Sequence, residues 1–459
     1  MIETRLIQKK YINKTEDYIY HHSILPESSS ELLDSVLYWG IRIIFPPLLI
    51  WDGLKFAISS LLSKKLTESI ILTAIKSRIN NKDSFIIHLK DKTNSESLKL
   101  LIFERLNVFA DNRKMDTLEI KNIVEKDLPK ENQRYLLYFP GNNSCYENDI
   151  NHLIDSAINI GCNVIGFNYY EDIEKNTIIE NPVKDVIING IAQVQRLLDS
   201  GIYPENILLE GYSLGGGIAA LITKHFHDKK IPINLFLDRT FSDVDTFVDG
   251  YIRRKEFHEI TNSSGNYYKT GHKEGIPNIL LSFLLKPLIN FGIAVTSWEI
   301  KTANSYLSIP DKNKDYMFIR TSSKIRNDKT IDDNVITHHA SLHNDTSVKE
   351  DRKLKKARLN DIIDNDRIDK DLKDKSIKAK EYFRARKMMT TDESKNGHGE
   401  TNRNELKNHY GMNANQFFYR AANRMFKDKC IITDENSNVI SSDSIELTYN
   451  HVLRNTKNA

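Results

Sequence analysis

The most constraining feature of this sequence is a short apolar segment, 206–210 (NILLE), that runs directly into Gly211-Tyr212-Ser213-Leu214-Gly215. An apolar segment of helix length, 214–226 (LGGGIAALITKHF), follows without a gap. This order predicts a strand, a sharp turn and a helix, with Ser213 on a strained turn where neighbouring side chains would collide unless they were glycines. The helix start beneath Ser213 carries partial positive charge, which favours an oxyanion there. The pattern therefore predicts a reactive serine.

The rest of the chain alternates short apolar segments with segments of helix length, which is typical of βα units around a parallel sheet. The predicted strands are 135–139, 163–168, 206–210, 233–237, 315–319 and 386–390, with 84–89 and 116–120 as an antiparallel edge. The predicted helices are 146–160, 182–200, 214–228 and 413–426. We therefore expect an α/β fold with a mostly parallel central sheet flanked by helices.

The composition narrows the classes of function. Lys and Arg total 65 against 62 Asp and Glu, a net charge of +3, which gives no reason to expect a nucleic-acid partner. The three cysteines, Cys145, Cys162 and Cys430, are too few and too scattered for a disulfide framework or a zinc site. We expect no metal and no cofactor. The N-terminal residues show neither an apolar stretch nor a cleavage site, which predicts cytoplasmic synthesis without a secretory signal peptide.

The sequence around Ser213 resembles the α/β-hydrolase superfamily, in which the serine of this turn is the nucleophile. A second turn, Pro140-Gly141-Asn142-Asn143, follows the first strong strand and is similar to the HGN or PGN turns of that superfamily. The resemblance implies an oxyanion hole formed by the backbone N–H groups of Leu214 and Asn142. It also implies the chain order Ser, acid, His and an acyl-enzyme mechanism.

The resemblance places the triad acid after the predicted strand 315–319, where Asp328, Asp332 and Asp333 are available. The stretch 333–337 (DNVIT) resembles the Asp-x-Val-Ile-Pro turn of the superfamily, although a threonine replaces the proline. Asp333 is therefore preferred, and Asp328 and Asp332 stay as alternatives. The acid would hold the histidine in one tautomer and stabilise the imidazolium.

The resemblance places the general base beyond the last predicted strand, where 396–400 (NGHGE) is similar to the GH turn of the superfamily. We therefore predict that His398 removes the proton of Ser213. His338, His339 and His343 are the alternatives, but they closely follow the acid on what should be an outer helix, pointing away from the serine.

Three further segments define the predicted domain organisation. Residues 1–80 are expected to form an N-terminal helical and apolar cap, in which 35–62 is too broken by charges and by a double proline to span a bilayer. This segment either docks on the main body or lies in a membrane interface as a peripheral contact. Residues 81–459 form the hydrolase domain, with a lid or cap insertion at about 250–298 and a charged helical insertion at about 348–380.

An apolar lid beside an apolar cap suits an acyl chain. We therefore predict a serine hydrolase of carboxylic esters or thioesters, an esterase or lipase acting on lipid or other long-chain acyl substrates. The alternative for 276–298 is an ordinary helix packed on the sheet. The alternative for the whole chain is a catalytically inactive α/β-hydrolase fold that acts as a binding or membrane-docking effector module.

The features outside the serine turn are also similar to a narrower group. An apolar N-terminal segment, the PGNN turn, GYSLGGG, the strand end LDRTFS and an extended charged C-terminal region resemble the SidB and SdbA group of bacterial effectors. That resemblance implies a role in virulence and delivery into a host cell without a cleaved signal peptide.

Overall fold

The structure is a computed structural model and describes part of the chain. The described residues are 2–12, 15–24, 100–111, 113–142, 144–169, 182–261, 267–274, 276–296, 298–319, 333, 335–365, 368–389, 403–426, 432–433 and 439–440.

The secondary structure alternates as βα units over the central part of the chain. The strands are β1 (Ile2–Ile12), β2 (Thr15–Ile24), β3 (Leu101–Ala110), β4 (Arg113–Asn122), β5 (Tyr135–Phe139), β6 (Asn163–Phe167), β7 (Ile207–Tyr212), β8 (Asn234–Asp238), β9 (Arg254–Thr261), β10 (Tyr267–Glu274), β11 (Lys314–Ile319), β12 (Lys387–Met389), β13 (Lys407–Asn408), β14 (Ile432–Thr433) and β15 (Val439–Ile440). The helices are α1 (Ile123–Lys126), α2 (Ile150–Asn159), α3 (Pro182–Asp199), α4 (Leu214–Asp228), α5 (Val244–Arg253), α6 (Ile276–Thr296), α7 (Thr302–Ser308), α8 (Thr346–Asp364), α9 (Lys370–Ala385) and α10 (Ala414–Met425).

Within the described residues, eleven strands form one sheet in the order β1-β2-β3-β4-β6-β5-β7-β8-β11-β12-β13. Six neighbouring strands of this sheet, β6, β5, β7, β8, β11 and β12, run parallel to one another. In contrast, β4 runs antiparallel to both of its neighbours, β3 and β6. All residues of β5, β6, β8 and β11 are buried, which is typical of a parallel sheet covered by helices on both faces. The fold class is the predicted one.

Two hydrophobic cores lie on the two faces of the sheet. One contains the apolar residues of α3, α4 and α7, and the other contains those of α2 and α10. The alternation of side chains along β7 divides its residues between them, because Ile207 and Leu209 belong to the first core and Leu208 to the second. The sheet is therefore sandwiched by helices, and its carboxyl-terminal edge is left for loops.

The parallel strands lie within two residues of their predicted bounds. Strand β5 and helix α4 match at both ends. Each of these segments is short, apolar and bounded by turn residues, so the sequence alone defines it. The predicted edge strand 116–120 lies within β4, and the other predicted edge strand, 84–89, lies outside the described residues.

The sequence did not predict β1, β2 and β3, the three strands at one side of the sheet. Strand β3 carries Glu104 and Arg105 in its middle, and its burial alternates, so it lacks the continuous apolar run of the central strands. Strands β1 and β2 form a hairpin, and β2 joins β3 in parallel. The described part of residues 1–80 is therefore β structure attached to the sheet, whereas the helices predicted within 35–79 lie outside the described residues.

The two predicted insertions fall in defined elements. The segment at 250–298 covers the end of α5, the β9–β10 hairpin and α6. The charged segment at 348–380 lies in α8 and α9, whose first turns are capped by the carboxylates of Asp345 and Asp369. No helix in the described part of the chain is both long and apolar enough to span a membrane.

Candidate active site

Ser213 lies on the turn between β7 and α4 in a backbone conformation that few non-glycine residues adopt. Its φ is 52° and its ψ is −115°, a region that costs about 1–3 kcal/mol. Two hydrogen bonds hold the turn in place: the Ser213 N–H donates to the Asp238 carbonyl over 2.9 Å, and the Thr240 hydroxyl donates to the Ser213 carbonyl over 2.7 Å. The strain is therefore stabilised by the end of the neighbouring strand, β8.

The glycines on either side of Ser213 are required by backbone proximity. A Cβ on Gly211 would lie 2.5 Å from the Gly215 carbonyl oxygen. A Cβ on Gly215 would overlap the Phe139 carbonyl oxygen and lie 2.5 Å from that of Pro140. Contacts this short do not occur for real Cβ atoms, so both positions exclude every other residue, for the reason that the sequence pattern predicts.

The predicted oxyanion turn lies directly against Ser213. A Cβ on Gly141 would be 3.3 Å from the Ser213 Cβ, and the Tyr169 hydroxyl fixes the same turn by donating to the Pro140 carbonyl over 3.1 Å. Asn142 follows Gly141 and is exposed. Leu214 is the first residue of α4, where N–H groups have no acceptor inside the helix. The structure thus brings the turn that carries Asn142 and the helix start that carries Leu214 to the same serine.

Asp333 is the one candidate acid that lies within the described residues, since Asp328 and Asp332 do not. It is buried, and its Oδ1 accepts the N–H groups of Val335 over 3.0 Å and Ile336 over 2.8 Å. Burial raises the pKa of the Tyr212 phenol to about 12, and the Asp333 carboxylate contributes to the rise. Asp333 therefore lies close to the residue that precedes Ser213.

The predicted base, His398, lies outside the described residues, and so does its whole turn. Its role stays a prediction. Two of the alternative histidines have other partners: His339 Nε2 lies 3.0 Å from Asp249 Oδ2, and His343 Nδ1 lies 2.9 Å from the Tyr316 hydroxyl. The His343 ring also stacks on Phe318 at 3.5 Å between centroids. The third alternative, His338, lies in a short 3-10 turn.

A buried charge network, which the sequence did not predict, lies beneath the serine turn. It consists of Glu210, Asp238, Arg239, Arg403 and His152. Arg403 bridges the two carboxylates, with Nη1 at 2.7 Å from Glu210 and Nη2 at 2.8 Å from Asp238. Arg239 donates to both oxygens of Asp238 at 2.7 and 2.8 Å, and His152 Nε2 lies 2.9 Å from Glu210. The network therefore ties together the carboxyl ends of β7 and β8.

The balance of charge keeps these groups ionised. Burial by itself would raise the pKa of Glu210, but Arg403 and His152 lower it below the ordinary value. Burial would likewise raise the pKa of Asp238, and the two arginines lower it. Both carboxylates are charged and already paired with buried cations, so neither is available to orient a further histidine. Arg403 also fixes the chain directly after residues 390–402, the segment that carries His398.

Part of this network left a signal in the sequence. Glu210 ends an otherwise apolar strand, and Asp238-Arg239 form the centre of LDRTFS, so a buried charge with a partner is the simplest interpretation. His152 and Arg403 left no such signal, because their partner Glu210 is 58 and 193 residues away along the chain.

Comparison with known proteins gives similarity to solved structures only. No family model matches the chain, and no curated protein matches its sequence. A bacterial heroin esterase is 20% identical over 37% of this chain and 54% of its own, with a TM-score of 0.27. An α/β-hydrolase from Vibrio vulnificus is 15% identical over 54% of this chain and 70% of its own, with a TM-score of 0.32. An esterase from the archaeon Pyrobaculum calidifontis is 14% identical over 35% and 50%, with a TM-score of 0.27. The chain thus spans about half the length of the two esterases.

The fold itself follows from the strand order. Strand β4 is antiparallel to both of its neighbours and separates β1, β2 and β3 from the six parallel strands. Strand β6 lies between β4 and β5, although it follows β5 in the chain. The strained serine turn follows β7, in the middle of the parallel strands, and leads into α4. By this topology and this turn, the chain has the fold of the α/β-hydrolase superfamily.

Proposed function

We propose that this chain is a serine hydrolase that cleaves carboxylic esters or thioesters through an acyl-enzyme. The observation that carries the proposal is the conformation of Ser213, a strained residue enclosed by glycines and facing a second glycine turn. Strain of this kind persists at sites where it positions a reacting group, and a merely structural turn gains nothing from a serine at this φ. The helix start at Leu214 adds the electrostatic environment that an oxyanion needs.

The proposed mechanism assigns one task to each group. His398 accepts the proton of the Ser213 hydroxyl as its oxygen attacks the carbonyl carbon, and Asp333 holds the imidazole in the required tautomer. The N–H groups of Leu214 and Asn142 donate to the oxyanion, at about 3 kcal/mol per donor. The tetrahedral intermediate collapses, and His398 protonates the departing alcohol or thiol. Water, deprotonated by His398, then hydrolyses the acyl-enzyme and restores the serine.

The exposed surface of helix α6 favours the proposal that the substrate carries a long acyl chain. It exposes four large apolar side chains, Leu280, Leu281, Phe283 and Leu284, with exposed fractions between 48% and 70%. The residue in their midst, Ser282, is buried and donates to Asp249 of α5. This is the reverse of a normal amphipathic helix, in which apolar residues face the core. An exposed apolar patch of this kind fits a lipid or acyl chain better than a sugar ester.

Labelling by a fluorophosphonate probe tests the proposed reaction. The probe reacts only with an activated serine, so we expect one modified peptide, and mass spectrometry should place the modification on Ser213. Heat-denatured protein is the control and should not be labelled. Absence of labelling, or labelling on a serine outside the turn, would contradict the proposal and favour a catalytically inactive fold used for binding.

A series of p-nitrophenyl esters tests the substrate class. We expect kcat/KM to be about tenfold or more higher for the decanoate than for the acetate, since each buried methylene contributes up to about 0.8 kcal/mol. Replacing Leu284 with serine should reduce the decanoate rate and leave the acetate rate unchanged. The matched control is Leu354→Ser, because Leu354 on α8 is exposed to 62% and Leu284 to 64%. A preference for acetate would contradict a long-chain substrate.

A further inference from the structure

A cavity lies at the end of the sheet opposite to Ser213. It has a volume of about 60 Å³ and is lined by residues of β11, α7, α8, α9 and α10. Lys314, the first residue of β11, lines it, whereas Ser213 follows the last residue of β7. Since β7 and β11 run in the same direction in one sheet, the cavity and the serine are separated by the length of the strands. The charged insertion formed by α8 and α9 supplies much of its wall.

The described residues that line this cavity carry an excess of positive charge. Its lining contains six cations and two carboxylates: Lys312, Lys314, Arg352, Lys355, Arg386, Arg424, Asp311 and Asp351. One further carboxylate, Asp315, binds Arg386 over 2.7 Å and Arg424 over 2.9 Å. Three carboxylates therefore face six cations. Positive charge that is partly withdrawn from water calls for an anion.

Two of the arginines have N–H donors without an acceptor among the described residues. Arg386 makes its hydrogen bond through Nε, to Asp315, and neither of its terminal nitrogens has an acceptor among the described residues. Arg352 uses Nη1, which donates to the His343 carbonyl and contacts the Tyr316 hydroxyl, while its Nε and Nη2 have no acceptor within that part of the chain. A guanidinium has five N–H donors in a planar fork that fits the oxygens of a tetrahedral anion.

The local electrostatics agree with this geometry. Burial lowers the pKa of Lys314 to about 8, although the Asp311 carboxylate raises it. Lys356, next to the cavity on α8, also has a lowered pKa. Burial is the main cause, and the others are all positive charges: Arg352, Arg384, Arg386 and Lys380. These positive charges would attract an anion that enters the cavity.

We propose that this cavity binds the phosphate group of a soluble phosphorylated small molecule. A water molecule needs about 10–15 Å³ of the same measure of volume, so the cavity accommodates a group of a few heavy atoms and not an acyl chain. Tyr306, Tyr382 and Phe383 also line the cavity, and their rings are in contact with Lys314, Arg386 and Arg424, which they help to hold in place. The proposal is independent of the function of Ser213.

Inorganic phosphate is the probe. Titration calorimetry and thermal unfolding of the full chain should show saturable binding and a rise in Tm, which chloride and acetate at the same ionic strength do not produce. The variant Arg352→Gln/Lys356→Gln should weaken phosphate binding about tenfold or more, because it removes one charge-assisted contact and one neighbouring positive charge. The matched control is Lys353→Gln, since Lys353 is exposed on the same helix. Ser213→Ala should bind phosphate as tightly as the unchanged chain.

A second variant keeps the test decisive, because Arg352 also holds His343 and its loss could impair folding. Lys312 lines the cavity and is exposed, so Lys312→Gln should fold and weaken phosphate binding. An equal rise in Tm with phosphate and chloride would overturn the proposal. Unchanged binding in both variants would overturn it too. Association with phosphatidic acid vesicles that free phosphate does not displace would replace it with recognition of a lipid headgroup.

Discussion

Replacing Ser213 with alanine is expected to lower kcat/KM for ester hydrolysis by about 10⁴-fold or more, because the proposed mechanism then has no nucleophile. The remaining rate would come from the oxyanion donors and from substrate binding alone. Initial rates with a p-nitrophenyl ester measure the effect. Ser308→Ala is the matched control, since Ser308 is exposed and its hydroxyl makes an ordinary bond to the Ser305 carbonyl. A Ser213→Ala variant that keeps more than about a tenth of the activity would contradict the mechanism.

The stability of the same variants separates chemistry from folding. Alanine keeps the strain of the positive φ, so the free energy of unfolding of Ser213→Ala should lie within about 1 kcal/mol of that of the unchanged chain. Glycine adopts this φ without steric cost, so Ser213→Gly should be inactive and about 1 kcal/mol more stable than Ser213→Ala. Urea denaturation followed by circular dichroism gives both values. If glycine brought no gain, the turn would not be strained in solution.

The central part of the fold could be predicted because its information is local. Strand β5 is a continuous apolar segment bounded by turns, and Gly211 is required by the backbone of Gly215, only four residues away. Strand β3 could not be predicted, because it is only half buried and its sequence mixes polar and apolar residues. Such strands form because of contacts between distant parts of the chain: β3 forms a hairpin with β4 and pairs in parallel with β2.

The candidate site divides in the same way. The turn at Ser213 and the turn at Asn142 could be found from sequence because each is a contiguous motif. The network that supports them could not, because Glu210, Arg403 and His152 meet only when the sheet is assembled. A charged residue in an apolar strand predicts that an oppositely charged partner is present, but it does not predict which residue that partner is. Sequence reasoning therefore finds reacting groups more readily than the residues that hold them in place.

The second large effect is expected for Arg403. Replacing it with methionine should lower the free energy of unfolding by about 3–5 kcal/mol, since removing one partner of a buried ion pair leaves the other charges uncompensated. Glu210 and Asp238 are both fully buried, and among the described residues they would retain the cationic partners His152 and Arg239, respectively. Urea denaturation at neutral pH measures the loss. The matched control is Arg358→Met, because Arg358 is exposed on α8 and its replacement should change stability by less than about 1 kcal/mol.

The pH dependence of this loss distinguishes an electrostatic effect from simple loss of packing. Arg403 lowers the pKa of Glu210 in the folded chain, so it contributes stability above the ordinary pKa of glutamate, about 4.3, and that contribution disappears as the pH falls through the lowered folded value. The difference between Arg403→Met and the unchanged chain should therefore be largest near neutral pH and shrink in acid. The double variant Glu210→Gln/Arg403→Met should recover part of the stability, because a neutral amide needs no cation. A loss of stability that is the same at every pH, with no recovery in the double variant, would mean that Arg403 acts through packing. The serine turn would then be stabilised by side-chain packing and not by the buried charges.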